Sequence, residues 1–322
     1  MKGERDKLSG IFKDKQNQPV NWFHRQPGKS NQYCLYCGSF VGDGANIKSN
    51  KEHLIAREFV PSGTLEGGKS FNFIFRACEQ CNTEKSNIER HISSVTIFNS
   101  PSRYESGEIN LLAIRKASKD YHPNKQGVLV QDAFDKHKLV FDENQNFKLS
   151  FDFVSPPQAN LSYIKLLAFM HIQGIFSLIT TINPLEASQT NLLSSKYFFF
   201  FGAFNNADWG NPQVLTAIER AKEWPCYANI DSANGFFKVI MRRNKGTDGE
   251  WFWALEWNKS YRVLGGIFHP EQTPTAFRDL PPLIWQELGV HGGKSTRRRE
   301  EISINEEQDT LFKAQVVSRK GN

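Results

Sequence analysis

The chain has 322 residues, 39% hydrophobic, 13% aromatic and 23% charged, with a formal net charge of +6. Its length predicts two domains, its 26 Phe predict well-filled cores, and its composition excludes long disordered stretches. The polar opening MKGERDK, and an apolar window at 161–182 broken by Lys165, His171, Gln173 and Gly174, predict no signal peptide, no membrane span and a cytoplasmic location.

Residues 1–32 form a basic, polar arm whose apolar anchors are Trp22 and Phe23. Residues 33–101 contain four of the five cysteines, paired as CxxC: Cys34 with Cys37, and Cys78 with Cys81. In a reducing compartment such pairs hold metal more often than they form disulfides. Four thiolates in two hooks match the tetrahedral sulfur set of a structural Zn²⁺, with no coordination position left open for substrate. Cys226 stands alone and reads as a small buried residue.

Between the hooks, Phe71, Phe73 and Phe75 alternate as one face of a short strand. After the second hook, Ile88, Ile92 and Val95 recur at helical spacing behind a cap candidate at Asn82 or Thr83. The adjacent Glu52 and His53, at the end of an earlier strand, must face opposite sides of it. His91 lies nine residues past Asn82, about 13 Å along a helix, and reads as a packing or phosphate-contact residue.

Residues 102–150 read as a connector with strand pieces in QGVLVQDAF and HKLVF. Residues 151–290 read as an α+β domain. Its parts are a buried helix at 162–180, a strand in KYFFFFGAF, a helix opened by Asn211-Pro212, and a three-stranded antiparallel meander in GFFKVIMRRN, EWFWALEWN and SYRVLGGIF. Trp251, Phe252, Trp253 and Trp257 read as core rather than as a base-stacking platform. Residues 291–322 read as a basic and polar tail, in which KSTRRR is either a nucleic-acid contact or a solvated run.

The order CxxCG, Glu52-His53-Leu54-Ile55, Asn72 and then CxxCN followed by Lys85 resembles the HNH endonucleases over about residues 33–95. That family carries its motif in a zinc-knuckled ββα-metal, treble-clef-like fold. The resemblance implies His53 as the general base that activates water. It implies Glu52 and Asn82 as ligands of a catalytic Mg²⁺ or Mn²⁺, and Asn72 as the residue that orients the base. A neutral imidazole and a hard cation with oxygen ligands are what phosphodiester hydrolysis requires. Two features depart from the family pattern: Ala56 with its proline delayed to Pro61, and the inserted PSGTLEGGKS.

Arg57, Lys69, Arg76, Lys85 and Arg90 are the candidate phosphate contacts, since the basic excess lies mostly in the first hundred residues, with 14 Lys and Arg against 10 Asp and Glu. The expected function is thus cleavage of DNA, with RNA left open, of the kind found in bacterial restriction, antiphage defence or mobile elements. Double-strand cutting would need a homodimer or a partner protein. Two alternatives stand beside it: a zinc-dependent nucleic-acid-binding module with a vestigial site, and an effector switched on by a ligand or partner of the C-terminal domain.

Overall fold

The computed structural model describes residues 18–66, 70–143, 147–181, 183–186, 192–246, 249–291 and 294–313. It is an α+β protein built on antiparallel sheets. Residues 1–17 of the basic arm and the end of the tail lie outside the described residues.

The first sheet places β1 (Val20–Asn21), β3 (Phe73–Cys78) and β2 (Ser49–His53) in that order, with β1 parallel to β3 and β2 antiparallel to it. The alternating Phe73 and Phe75 are fully buried, as the period-two pattern requires. Trp22 packs edge-on against Phe73, ring centroids 4.7 Å apart, so the arm adds a strand to the sheet and anchors it with one ring. Helix α1 (Glu79–Phe98) follows β3 without a loop. Its cap is Cys78, whose Sγ accepts from the Cys81 amide, and not Asn82 or Thr83; the chain is already helical there because the metal hook doubles as the cap.

The expected connector contains two helices, α2 (Ser102–Glu105) and α3 (Gly107–Ala117), before the hairpin of β4 (Asp135–Glu143) and β5 (Phe147–Ser155). QGVLVQDAF is not a strand: it ends in a single 3-10 turn at Val130–Asp132. Helix α3 packs on α1 through Ala113 and Ala117, whose small side chains allow close approach.

Helix α4 (Leu161–Thr180) is, among the described residues, the one helix long and apolar enough to cross a membrane, and 67% of that apolar window is buried inside protein. It lies on a five-stranded antiparallel sheet in the order β6 (Phe198–Asn205), β10 (Tyr261–Ile267), β9 (Trp251–Trp257), β8 (Phe237–Arg243) and β7 (Cys226–Ser232). The expected meander is β8–β9–β10. One face, with Phe237, Val239, Met241, Trp253 and Trp257, meets α4 and the cysteine-bearing segment; the other, with Ile240, Phe252, Ala254 and Leu264, is covered by α5 (Pro212–Ala221) and Leu311. KSTRRR is paired rather than a free tail, forming β12 (Lys294–Arg299) against β11 (Trp285–His291).

Between β6 and β10 the register slips at Leu264/Gly265. A Cβ on Gly265 would lie 2.0 Å from the Phe199 carbonyl oxygen and 2.2 Å from the Trp253 ring, so backbone and indole both exclude it. Gly265→Ala should lower the unfolding free energy by about 2–3 kcal/mol. A urea titration checks this, and an unchanged midpoint would show that the bulge absorbs a methyl group.

Candidate functional site

The first hook is a tight knuckle. The Cys34 amide donates to Ser39 O (2.8 Å) and the Gly38 amide to Cys34 O (2.9 Å), with Gly38 at φ +75°, a conformation glycine adopts without strain. The second hook closes at the β3–α1 junction. All four sulfurs lie within 4.8 Å of one another, and Cys37 Sγ is 3.7 Å from Cys78 Sγ. A tetrahedron with Zn–S bonds of about 2.3 Å has S···S edges of about 3.8 Å, so the set is close to the shape of one zinc ion.

Electrostatics point the same way. A hydrogen bond from Cys81 holds the Cys34 thiol down at about 5, whereas burial pushes Cys78 up to about 11 and the bond to Cys34 pushes Cys81 up as well. Four sulfurs this close can be thiolates together only around a cation. The chain thus carries a four-cysteine cluster fit for a structural metal such as zinc. Among the described residues it is the one group of three or more His, Cys, Asp or Glu gathered tightly enough for a metal.

Glu52 and His53 do part to opposite faces of β2. Glu52, 5% exposed, points toward α1: its Oε1 accepts from Tyr36 Oη (3.0 Å) and lies 2.9 Å from Lys85 Nζ. The same ammonium, 1% exposed, sits 2.8 Å from Glu89 Oε1 and donates to His53 O (3.1 Å). His171 of α4 closes the group, with Nε2 3.5 Å from Glu89 Oε1. Burial pushes the Glu52 carboxyl up, against the pull of Lys85. Burial opposes ionisation of Glu89 too, but Lys85 and His171 bring it below its ordinary range, and the two carboxylates raise Lys85 despite its burial. One ammonium therefore lies between two buried carboxyl groups.

That arrangement corrects the expected cation site. The corner that Glu52 would offer a divalent ion is filled by Lys85. Asn82 is turned elsewhere: its Nδ2 donates to Asn50 Oδ1 (2.5 Å) and Lys51 O (3.2 Å), tying α1 to β2. The residues as arranged do not fit a cation shared by Glu52 and Asn82.

His53 is half-buried on the other face, in the lining of a cavity of about 910 Å³ that also contains Asn72. Burial first, then the cations Lys51, Arg57 and Lys85, bring its imidazole from an ordinary 6.5 to about 4, so it is neutral at pH 7 and binds a proton less tightly than an ordinary imidazole. Asn72 holds the chain just beyond: its Oδ1 accepts from Ile55 N (3.0 Å) and its Nδ2 donates to Ile55 O (2.8 Å). It acts on the backbone that follows His53.

The candidate phosphate contacts divide. Arg57 and Arg90 line the cavity, Arg90 with an ion pair to Asp120 at 3.2 Å. Lys69 lies outside the described residues. Arg76 is an internal tie, 6% exposed, donating to Ser49 Oγ (3.0 Å) and His24 O (2.7 Å) with its guanidinium over the Phe23 ring, so it is not free for phosphate. Lys85 is excluded by its burial. His91 is a packing residue, buried against His122 and Tyr163 and accepting the Asn160 amide.

Sequence reasoning missed the cavity's second wall, Leu112, Arg115, Lys116 and Lys119 on and just after α3. The signal was present in the run of cations Arg115, Lys116 and Lys119.

No family model, curated protein or solved structure matches the chain.

Two outcomes follow from these contacts. Cys78→Ser should lose bound zinc, measured by elemental analysis, and unfold the cysteine-bearing segment, because metal-binding energy at such sites is folding energy; full zinc content with an unchanged melting transition would refute it. Lys85→Met should cost about 3 kcal/mol at pH 7, since it strands two buried carboxylates. With no cation beside them, Glu52 and Glu89 hold protons more tightly in the folded than in the unfolded chain. Folding is then favoured as pH falls, and the deficit should narrow between pH 7 and 5 in parallel urea titrations. A small, pH-independent deficit would show that the triad contributes little.

Proposed function

We propose that the protein is a nuclease of the HNH type that hydrolyses phosphodiester bonds in DNA, with His53 as its general base. The observation that carries this reading is the neutral, half-buried imidazole at the end of β2, set in a cavity edged by arginines and lysines and joined through β3 to a four-cysteine metal cluster.

His53 takes a proton from a water, and the oxygen attacks phosphorus. A P–O bond forms, the bond to the 3′ oxygen breaks, that oxygen takes a proton from solvent water and the imidazolium returns its own to solvent, leaving a 5′-phosphate and a 3′-hydroxyl. Arg57 and Arg90 face the charge that builds on the phosphoryl oxygens. Lys85 sets the base by holding its carbonyl, and Asn72 by clamping Ile55. A metal held by Cys34, Cys37, Cys78 and Cys81 would supply a rigid frame for the hairpin and α1. A divalent cation is implied by the resemblance alone, and no step is assigned to one.

The buried Lys85–Glu52 pair favours a second reading, a nucleic-acid-binding module without cleavage, because it neutralises the carboxylate that a catalytic cation would use. One assay separates the two. Purified protein should nick supercoiled plasmid in a series of Mg²⁺, Mn²⁺ and Ca²⁺ additions, and His53→Ala should reduce the rate by about a hundredfold or more with zinc content and melting transition unchanged. Equal nicking by the variant would remove His53 from the chemistry. Binding without cleavage under every cation would favour the module.

A further inference from the structure

The cavity beside His53 has a shape and lining that the nuclease motif does not account for. Its floor is the end of the hairpin; one wall is the loop of residues 57–66 and the other is α3 with the residues just after it. The walls are fixed to each other and to the core. Lys116 Nζ donates to Glu58 O (2.6 Å), Ser93 Oγ to Phe59 O (2.9 Å) and Asn258 Nδ2 to Phe59 O (3.1 Å). The space between them is therefore part of the folded structure and does not depend on a mobile lid.

The lining is divided by chemistry. Val60, Pro61, Leu65, Ile74 and Leu112 supply the aliphatic lining, of which Leu65, Ile74 and Leu112 keep part of their surface open as a patch. Arg57 on one wall, and Arg115 and Lys119 on the other, are exposed cations. Glu58 and Glu66 share the loop wall, and Asp120 is paired with Arg90.

A volume of about 910 Å³ is at the upper end of cavities that enclose a small molecule, about 300–1,000 Å³. It suits nucleotide units rather than a double helix, whose major groove alone measures about 12 Å across. In a duplex the bases are stacked and turned inward, so a strand lying on the protein would offer the aliphatic patch nothing to cover it. An unpaired strand offers a sugar and a base to that patch and flanking phosphates to the cations. We infer that the site takes an unpaired polynucleotide strand, with one nucleotide seated between the walls and its neighbouring phosphates held by Arg57 on one side and by Arg115 and Lys119 on the other. This deepens the nuclease reading and rests on it for the role of the site.

Binding tests the inference without requiring cleavage. Full-length His53→Ala protein is titrated, by fluorescence anisotropy, into labelled twelve-residue strands of DNA and of RNA and into the blunt DNA duplex of the same sequence, across a salt series. The expected result is at least tenfold tighter binding of one or both single strands than of the duplex, the tighter strand naming the sugar. Adding Arg115→Glu and Lys119→Glu together should weaken that binding at least tenfold. It should also reduce the slope of log affinity against log salt by about 1.4, two phosphates at about 0.7 each for single strands. Zinc content and melting transition should stay unchanged, since both side chains are exposed.

Equal or tighter binding of the duplex would overturn the inference, as would an unaltered salt slope in the charge-reversed protein. The two readings fail separately: plasmid nicking together with a duplex preference sinks only this one, and single-strand binding by a protein that never cuts sinks only the nuclease.

Discussion

The interaction on which the rest of this structure depends is the ammonium of Lys85, buried between Glu52 and Glu89. Taking three charges out of water costs several kcal/mol for each ion, and their mutual attraction offsets this only where geometry is good and the remaining bonding capacity is met. Here the geometry is 2.9 and 2.8 Å, and the remaining capacity is met by Tyr36, by the His53 carbonyl and by the Ala56 amide at 3.4 Å. The partners come from the first cysteine knuckle, from β2, from α1 and from the loop after β2, with His171 of α4 alongside. A single cation thereby sets the distance between the four-cysteine cluster, His53 and the core helix.

The same contacts join the two halves of the chain. The buried core runs without a break from Cys34 and Phe75 through Leu167 and Ile172 to Trp253 and Val263. Leu54 packs so closely on α4 that a Cβ at Gly174 would lie 2.4 Å from its Cδ1, and Asn258 at the start of the β9–β10 turn reaches back to Phe59 and to Thr96 of α1. A segment of 33–101 with two hooks is too small to bury much apolar surface alone, and it uses the five-stranded sheet to complete its core. The boundary suggested by turn-rich sequence near 102–150 is a change of local composition, and the packing passes across it.

What was legible in the sequence was local. The spacing of Cys34, Cys37, Cys78 and Cys81, the alternation of Phe71, Phe73 and Phe75, the buried stretch that became α4 and the meander at 237–267 each carry a periodicity or a ligand pattern within a few residues. What was not legible was pairing at a distance. Lys85 read as a phosphate contact because lysines are seldom buried, and nothing near it announces Glu52 across the hairpin, although Glu89 at i+4 was visible. Arg76 read as free for the same reason, its partners His24 and Ser49 lying 52 and 27 residues away. Helix α3 was missed because residues 102–117 are interrupted by Ser106-Gly107 and keep Leu111 and Ile114 exposed, which blurs the amphipathic pattern.

The alternation of a β-strand explains how two neighbouring residues take on opposite duties. Glu52 must face α1 if His53 faces the cavity, and once it faces α1 it is in a dry interior where only a cation can keep it ionised. Lys85 is that cation, three residues past Asn82 in the first turns of a helix whose cap is the metal hook. Its third contact, to the carbonyl of His53, ties the position of that residue to the charge balance behind it. The imidazole in turn is kept neutral by its burial and by the positive field of Lys51, Arg57 and that same Lys85. The charge balance on one face of β2 and the neutral imidazole on the other are thus both tied to one buried ammonium, and a change at Lys85 cannot alter the first without disturbing the second.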